Sequence, residues 1–228
     1  MTGITSFWWL VVHFASLLCG WLLKEFEPLP MRFLMEISSS YLESVIKQFQ
    51  YYKVLGEKAM AQLEPEQLFV EMNDDSNSVA TIVQHLAGNM LSRWTDFLTS
   101  DGEKEWRNRD SEFELQSQTN TEAVMKRWNE GWGCLFDALN SLTHEELTTI
   151  IYIRKEGHTV VEAINRQLAH YPYHIGQIVF LAKMLKKEPW VSLSIPKNSS
   201  TTYNTSKFSQ EKSIKNFTDD ELKKLNKP

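Results

Sequence analysis

Apolar residues recur at the helical period of about 3.6 residues in four long stretches, and this pattern constrains the fold more than any other feature. The stretches are separated by proline, by polar capping residues or by turn residues, and they run over Met35–Leu63, Val79–Leu98, Thr121–Leu142 and Val160–Leu185. Four long helices with only short strand-like insertions predict an all-α fold, a helical bundle.

The connections between these helices are mostly short. Leu68–Val70 and the β-branched run Thr148–Arg154 have the character of short extended pieces, and Glu156–Thr159 has that of a turn leading into the fourth helix. The polar stretch Thr99–Ser117 is longer, and a connection of this length inside a compact domain is usually functional or mobile.

The chain divides by composition into three parts. Residues 1–30 form an apolar extension, residues 31–197 the helical domain, and residues 198–228 a polar tail rich in Ser, Thr, Asn and Lys. We expect a flexible tail over residues 198–216, with a weak terminal helix over residues 209–226.

The N-terminal extension contains a run, Ile4–Leu23, without a formal charge. A helix of that length would cross the hydrocarbon core of a bilayer. Three interpretations remain open, namely a membrane anchor, an uncleaved signal-like segment, or an upstream extension that is not made when translation starts at Met31 or Met35. If the run is an anchor, Lys24 and Arg32 on its C-terminal side keep the domain on the cytoplasmic face, so a cytoplasmic domain is expected with or without a membrane tether.

Composition excludes several classes of function. The 228 residues carry a net charge of −5, so no basic surface for nucleic acid is expected. Two cysteines in unrelated contexts imply no disulfide framework, and Cys134 in an apolar stretch has the character of a buried, inert thiol.

His170 and His174 are four residues apart, so on a helix they lie on one face and can hold one divalent ion between them. The competing interpretation makes both of them packing residues on an apolar helix. Pro172, between them, predicts a kink or local distortion of the helix. His85 on the second helix is a third candidate, and three histidines leave a tetrahedral ion one open position, as in catalytic zinc sites.

No rival chemistry has a motif, because HExxH, GxSxG, the P-loop and GxGxxG are all absent. Asn89 shares the helix face of His85, and Arg93 lies on nearly the same face, eight positions after it. Glu162, at the start of the fourth helix, is a weaker candidate for a catalytic base.

Residues from about Met35 to Lys197 resemble the DinB/YfiT-like superfamily, and more closely its branch of uncharacterised bacterial proteins with a domain of unknown function. The matching strings are Gln84–Trp94, Gly102–Asp110, Gly131-Trp132, Gly157–Val160, Arg166–Gln177 and Trp190–Pro196. The resemblance implies an up-down four-helix bundle with one long crossover. The apolar N-terminal extension and the polar tail depart from the family core.

The resemblance also implies a metal site made by one histidine on the second helix and an HxxxH pair on the last core helix. These positions are His85, His170 and His174 here, and Gln177 matches a family glutamine that supports the site or contacts substrate. Characterised relatives include transferases and isomerases that use low-molecular-weight thiols such as bacillithiol or mycothiol, and others are regarded by analogy as metal-dependent hydrolases.

We therefore predict a cytoplasmic, divalent-metal-dependent enzyme that activates a small thiol or water for attack on a small-molecule substrate. The expected ion is zinc, with nickel, iron or manganese as alternatives. The candidate catalytic residues are Gln177, Arg93 and Asn89, and Arg93 would bind a carboxylate of the thiol. The alternatives are a non-catalytic metal-binding bundle in stress response, a metal-dependent hydrolase and a membrane-associated protein. A homodimer is one assembly consistent with the sequence.

Overall fold

The computed structural model describes residues 31–226, and among these residues the fold is mainly helical with one small sheet. The described residues form six α-helices: α1 (Met31–Met60), α2 (Val79–Trp94), α3 (Thr121–Ser141), α4 (Val160–Leu185), α5 (Ser200–Phe208) and α6 (Phe217–Leu225). The chain separates into two units, residues 1–40 and 41–228. The described part of the first unit is the beginning of α1.

Side-chain caps fix where α2, α3 and α4 begin. Ser78 and Asn120 accept the backbone N–H groups of Thr81 and Ala123, and each thereby satisfies a donor that the first helical turn leaves free. In α4 the cap is reciprocal, since Thr159 accepts from the backbone of Glu162 while the Glu162 carboxylate accepts from the backbone of Thr159.

Helix α4 has the predicted bounds, and it continues through Pro172 as a single helix. Helix α2 ends at Trp94, so its predicted extension to Leu98 is wrong. Thr95 is extended and Asp96 follows with a φ of 45°, and this left-handed residue turns the chain away from the helix.

Buried aromatic side chains hold α1, α3 and α4 together. Phe49, Trp132 and Tyr171 pack with ring centroids 5.8–6.4 Å apart, and all three are fully buried. Helix α2 joins this cluster through Trp94, whose indole N–H donates to the Tyr171 hydroxyl at 3.0 Å. Aromatic pairs in such geometries stabilise beyond their buried area, so this cluster helps to hold the four helices together.

The sheet is one antiparallel hairpin of β1 (Ile150–Ile153) and β2 (Glu156–Thr159). The strand predicted over Thr148–Arg154 is confirmed, whereas the turn predicted at Glu156–Thr159 is wrong, because that segment is β2. The extended piece predicted at Leu68–Val70 is also wrong in its first part, since Pro65–Phe69 is a 3-10 helix.

The hairpin turn consists of Arg154 and Lys155, which have φ values of 56° and 66°. Such a turn suits the twist of the strands, but it favours Asn and Gly rather than longer side chains. The Asp101 carboxylate accepts both backbone N–H groups of the turn, each at 2.8 Å, and so holds it against the Thr99–Ser117 connection.

Helix α5 lies within residues 198–216, where a flexible segment was expected. Helix α6 lies within the terminal helix predicted over residues 209–226. Helix α6 packs on α1 through an ion pair between Lys47 and Asp219 at 3.0 Å and a ring contact between Tyr51 and Phe217. Leu225, near the end of α6, is buried.

The membrane interpretation of Ile4–Leu23 lies outside the described residues. Between residues 31 and 226, none of the helices has the combined length and apolar character that a membrane-spanning helix requires.

Candidate metal centre

The structure brings His85, His170 and His174 together, with one ring nitrogen of each lying within 4.8 Å of the others. His85 comes from α2, whereas His170 and His174 come from successive turns of α4. The Nε2 atoms of His170 and His174 are 3.1 Å apart. Two nitrogens on a tetrahedral ion with bonds of about 2.1 Å would be roughly 3.4 Å apart, so the spacing of this pair suits a shared ion.

Each of the three imidazoles has a side-chain oxygen beside its Nδ1 atom. The pairs are His85 with Glu112 at 2.9 Å, His170 with Gln167 at 3.2 Å and His174 with Gln177 at 2.7 Å. An oxygen at this position selects the tautomer with its proton on Nδ1 and leaves the Nε2 lone pair free. Metal-binding histidines are typically oriented in this way by a second layer of hydrogen bonds.

The pair on α4 is in the neutral form that metal binding requires. Burial, together with the neighbouring imidazoles, lowers the pKa of His170 to about 3. Burial also lowers the pKa of His174, although the hydrogen bond with Gln177 acts in the opposite direction. A neutral imidazole offers a lone pair without having to lose a proton first, so both residues are ready to act as ligands at neutral pH.

Glu112 connects His85 to a buried arginine. Its carboxylate accepts two hydrogen bonds from Arg107, at 2.7 and 2.9 Å, in addition to the one with His85. Burial alone would raise the pKa of this carboxyl group, but the hydrogen bonds from His85 and Arg107 outweigh it and keep the pKa below its ordinary value. Glu112 is therefore an anion and a permanent acceptor for the Nδ1–H of His85.

Gly88 provides the space that Glu112 occupies. It lies on α2 one turn after His85, and a Cβ atom at this position would clash with the Glu112 carboxylate, with Cδ only 2.7 Å away. Real Cβ atoms do not approach neighbours so closely, so any larger residue would push the carboxylate off the helix. Glycine is thus a requirement of the His85–Glu112 pair.

The Thr99–Ser117 connection, expected to be functional or mobile, folds against α2 and delivers Glu112. Arg93 donates to the Gly102 carbonyl and to Glu103, the latter at 3.0 Å, and Ser92 donates to the same carbonyl at 2.8 Å. Arg93 therefore has a structural task in addition to the anion-binding role predicted for it. Asn89 accepts from the buried Tyr171 hydroxyl at 3.1 Å.

A cavity of about 250 Å³ opens beside the histidines. Its lining residues are His85, Asn89, Arg93, Arg107, Arg109, Arg154, Arg166, Gln167 and His170. Within residues 31–226, the cluster of potential metal ligands consists of the three histidines, with no fourth His, Cys, Asp or Glu. The donor set thus has an accessible face, as a catalytic zinc site does.

Sequence reasoning missed Glu112, Arg107 and Gln167. Gln167 precedes His170 by three residues just as Gln177 follows His174 by three, so symmetry about the histidine pair was a usable signal. No periodic pattern marked Glu112 in the polar connection. Glu162, considered as a base, instead caps α4 and takes no part in the site.

A family model described as a protein of unknown function (DUF1572) matches residues 36–199, which include all three histidines and their Nδ1 partners. None of the curated proteins matches this chain. Because the family match spans more than half of the 228 residues, the protein belongs to the DUF1572 family of proteins of unknown function.

Proposed function

We propose that this protein is a divalent-metal-dependent enzyme similar to the small-thiol S-transferases of the DinB/YfiT-like superfamily, with the ion held by His85, His170 and His174. The observation that carries the proposal is the orientation of all three imidazoles, each with its Nδ1 beside a side-chain oxygen, with the Nε2 atoms of His170 and His174 3.1 Å apart. The joint packing of α1 to α4 around Phe49, Trp132 and Tyr171 supports the four-helix bundle of that superfamily as part of the same proposal.

The donor set fits zinc best. Three imidazoles suit a borderline ion, and zinc commonly takes three protein ligands while leaving one position for substrate. Nickel, iron and manganese are the alternatives. A bound ion of this kind supplies a Lewis acid that lowers the pKa of a thiol or of water and so provides a nucleophile at neutral pH.

The chain's own residues orient the ligands and the reactants. Glu112, Gln167 and Gln177 fix the tautomers of the histidines, so each Nε2 lone pair needs no reorganisation to bind. Asn89 uses its oxygen for Tyr171, which leaves its amide N–H groups able to donate to a substrate in the cavity. The accessible face favours an enzyme over a bundle with a purely structural ion, because a structural site is closed by a fourth ligand.

Metal analysis of the purified full-length protein tests the ligand set. We expect about one divalent ion per chain, and His85→Ala, His170→Ala and His174→Ala should each remove most of it. His144→Ala is the matched control, because His144 lies outside the cluster and should leave the metal content unchanged. Unchanged metal content in the three cluster variants would refute the site.

Activity assays then distinguish enzyme from structural bundle. The metal-loaded protein is incubated with low-molecular-weight thiols and an alkylating electrophile, and in parallel with ester and phosphoester substrates without thiol. If the wild-type protein consumes thiol and the His174→Ala variant does not, the result supports a transferase. If only hydrolysis is seen, water and not a thiol is the nucleophile. A stoichiometric ion without either activity would contradict the proposal.

A further inference from the structure

Five of the nine residues that line the cavity beside the histidines are arginines, and none of the nine is acidic. They come from four separate segments, which are α2, the Thr99–Ser117 connection, the hairpin turn and α4. Guanidinium groups converging from separate segments on one small space are costly unless anions balance their charge. The identity of those anions therefore decides what the cavity can bind.

The acidic side chains of the protein balance only part of this charge. Glu103 is paired with Arg93 and Arg154, each at 3.0 Å, and Glu112 is paired with Arg107. These two carboxylates serve three guanidiniums, and Glu112 also accepts from His85. Arg93 and Arg107 are thereby explained as residues that hold the connection on α2.

The remaining two arginines have no comparable partner. Arg109 lies over the Phe113 ring, and its ion pair is with Asp110, at 4.0 Å. The Asp110 side chain is almost fully exposed, so this ion pair contributes little. Arg166 forms no ion pair with any residue in the described part of the chain. It lies on α4 four residues before His170, and this spacing places it on the helix face of that histidine.

We infer that the cavity binds the anionic group, a phosphate or a carboxylate, of the substrate or thiol that reacts at the histidines. Arg166 and Arg109 would hold it at the rim, with Arg154, which is already paired with Glu103, adding a third positive charge. Arginine suits this task because its planar fork donates two parallel hydrogen bonds to the oxygens of a carboxylate or a phosphate. The inference names the substrate class of the proposed function. The role of the anion in the reaction rests on that function, whereas the binding of the anion to the cavity does not.

The size of the cavity limits the ligand. A volume of about 250 Å³ lies just below the range for sites that take drug-sized molecules, roughly 300–1,000 Å³. It would accommodate a single phosphate or a short dicarboxylate but not a nucleotide. The rest of the substrate must therefore extend toward the solvent side, where Arg109 and Arg154 are more than half exposed.

Titration calorimetry on the metal-free full-length protein tests the inference without reference to activity. Inorganic phosphate and succinate are titrated separately at constant ionic strength, and we expect at least one to bind. Arg166→Ala should weaken that binding by about ten-fold or more, the usual effect of losing hydrogen bonds to a charged group, and Arg109→Ala should do the same. Binding of only one of the two anions identifies which group the substrate carries.

Two further variants distinguish anion binding at Arg166 from a general effect of surface charge and from metal binding. Lys183→Ala removes one positive charge from the exposed surface of the same helix and should leave the affinity unchanged. His174→Ala, which does not line the cavity, should lose the metal yet keep anion binding, whereas Arg166→Ala should keep the metal.

Circular dichroism checks that each variant is folded, and Arg166→Lys provides a milder change that retains the charge. The inference is overturned if wild-type protein binds neither anion, or if Lys183→Ala weakens binding as much as Arg166→Ala. Loss of metal in the histidine variants without any anion binding would leave the proposed function standing and refute only the arginine cavity.

Discussion

The two sides of the candidate metal centre are constructed in different ways. His170 and His174 share α4 with their partners Gln167 and Gln177, so one helix provides both ligands and both orienting oxygens. His85 on α2 is instead oriented by Glu112, 27 positions later in the chain. The first arrangement requires only that α4 is helical, whereas the second requires a long connection to fold in one particular way.

The difference also appears in how each side is stabilised. The glutamines form neutral hydrogen bonds, Gln167 from a buried position and Gln177 from a half-buried one, and such bonds typically contribute about 1 kcal/mol each. Glu112 and Arg107 form a buried ion pair, with side chains only 7% and 2% exposed. Breaking such a pair leaves an uncompensated charge inside the protein, so the α2 side should be far more sensitive to substitution than the α4 side.

The largest expected effect is the loss of Glu112. In the metal-free protein, Glu112→Ala should lower the free energy of unfolding by about 3–5 kcal/mol, because the buried Arg107 then keeps only its 3.5 Å contact with Glu103. Gln177→Ala should cost less than about 1 kcal/mol, because water can reach its half-buried partner. Urea unfolding followed by circular dichroism measures both values.

A double variant sharpens this test. Removing both charges with Glu112→Ala and Arg107→Ala should cost clearly less than the sum of the two single changes, since no charge remains unpaired. Additive losses would mean that the two side chains do not stabilise each other, and the contrast between the two sides of the centre would then be mistaken.

The second prediction concerns Gly88 on α2, where a substitution should displace Glu112 from Arg107 and His85. Gly88→Ala places a methyl group where the Glu112 carboxylate lies, and it should destabilise the protein by about 1–3 kcal/mol, as overpacking does. Gly133→Ala in α3 is the matched control, since nothing lies within 4 Å of its Cβ position. There the change from glycine to alanine should stabilise the helix by up to about 1 kcal/mol.

Metal affinity provides a second measurement for this variant. Displacement of Glu112 should weaken metal binding by about ten-fold or more, as loss of a second-layer partner does, whereas Gly133→Ala should leave it unchanged. Equal affinity in the two glycine variants would show that Glu112 does not orient His85.

The difference between the two sides of the centre also explains which parts of the structure could be predicted from the sequence. The bounds of α4 were predictable because Thr159 and Glu162 form a local capping box and the apolar period runs without a break. The spacing of His170 and His174 then places both on one face. Every determinant of this side lies within one or two turns of helix, which is the range over which sequence patterns are reliable.

The α2 side depends on contacts that no local pattern encodes. Glu112 reaches His85 because Arg107 is buried beside it and because Gly88 leaves room, and each condition involves a different segment. The arginine cavity was missed for the same reason, since its five members come together only after the connection and the hairpin have folded. Arg93 alone was identified, because it shares a helix face with His85.

The third prediction concerns metal affinity on the α4 side. Gln177→Ala should weaken metal binding about ten-fold, equivalent to about 1.4 kcal/mol, because His174 loses the acceptor that orients its ring. Gln177→Glu should bind at least as tightly as wild type, since a carboxylate orients the imidazole and also raises its basicity. Competition with a chromogenic chelator measures both, and weaker binding by the glutamate variant would contradict the orienting role.

The smallest effect is expected at the hairpin turn. Asp101 binds this turn to the Thr99–Ser117 connection, which forms part of the α2 side of the centre. Lys155 has a φ of 66°, a conformation that costs a residue with a side chain roughly 1 kcal/mol but that glycine adopts freely. Asp101 accepts hydrogen bonds from the N–H groups of Arg154 and Lys155, and these bonds keep Lys155 in its strained conformation. Lys155→Gly should therefore raise the free energy of unfolding by up to about 1 kcal/mol, whereas Lys155→Ala, which keeps the strained Cβ atom, should not. If thermal unfolding shows the glycine variant to be no more stable than the alanine variant, the turn is not strained. The contacts of Asp101 with the turn would then form without a cost in backbone conformational energy.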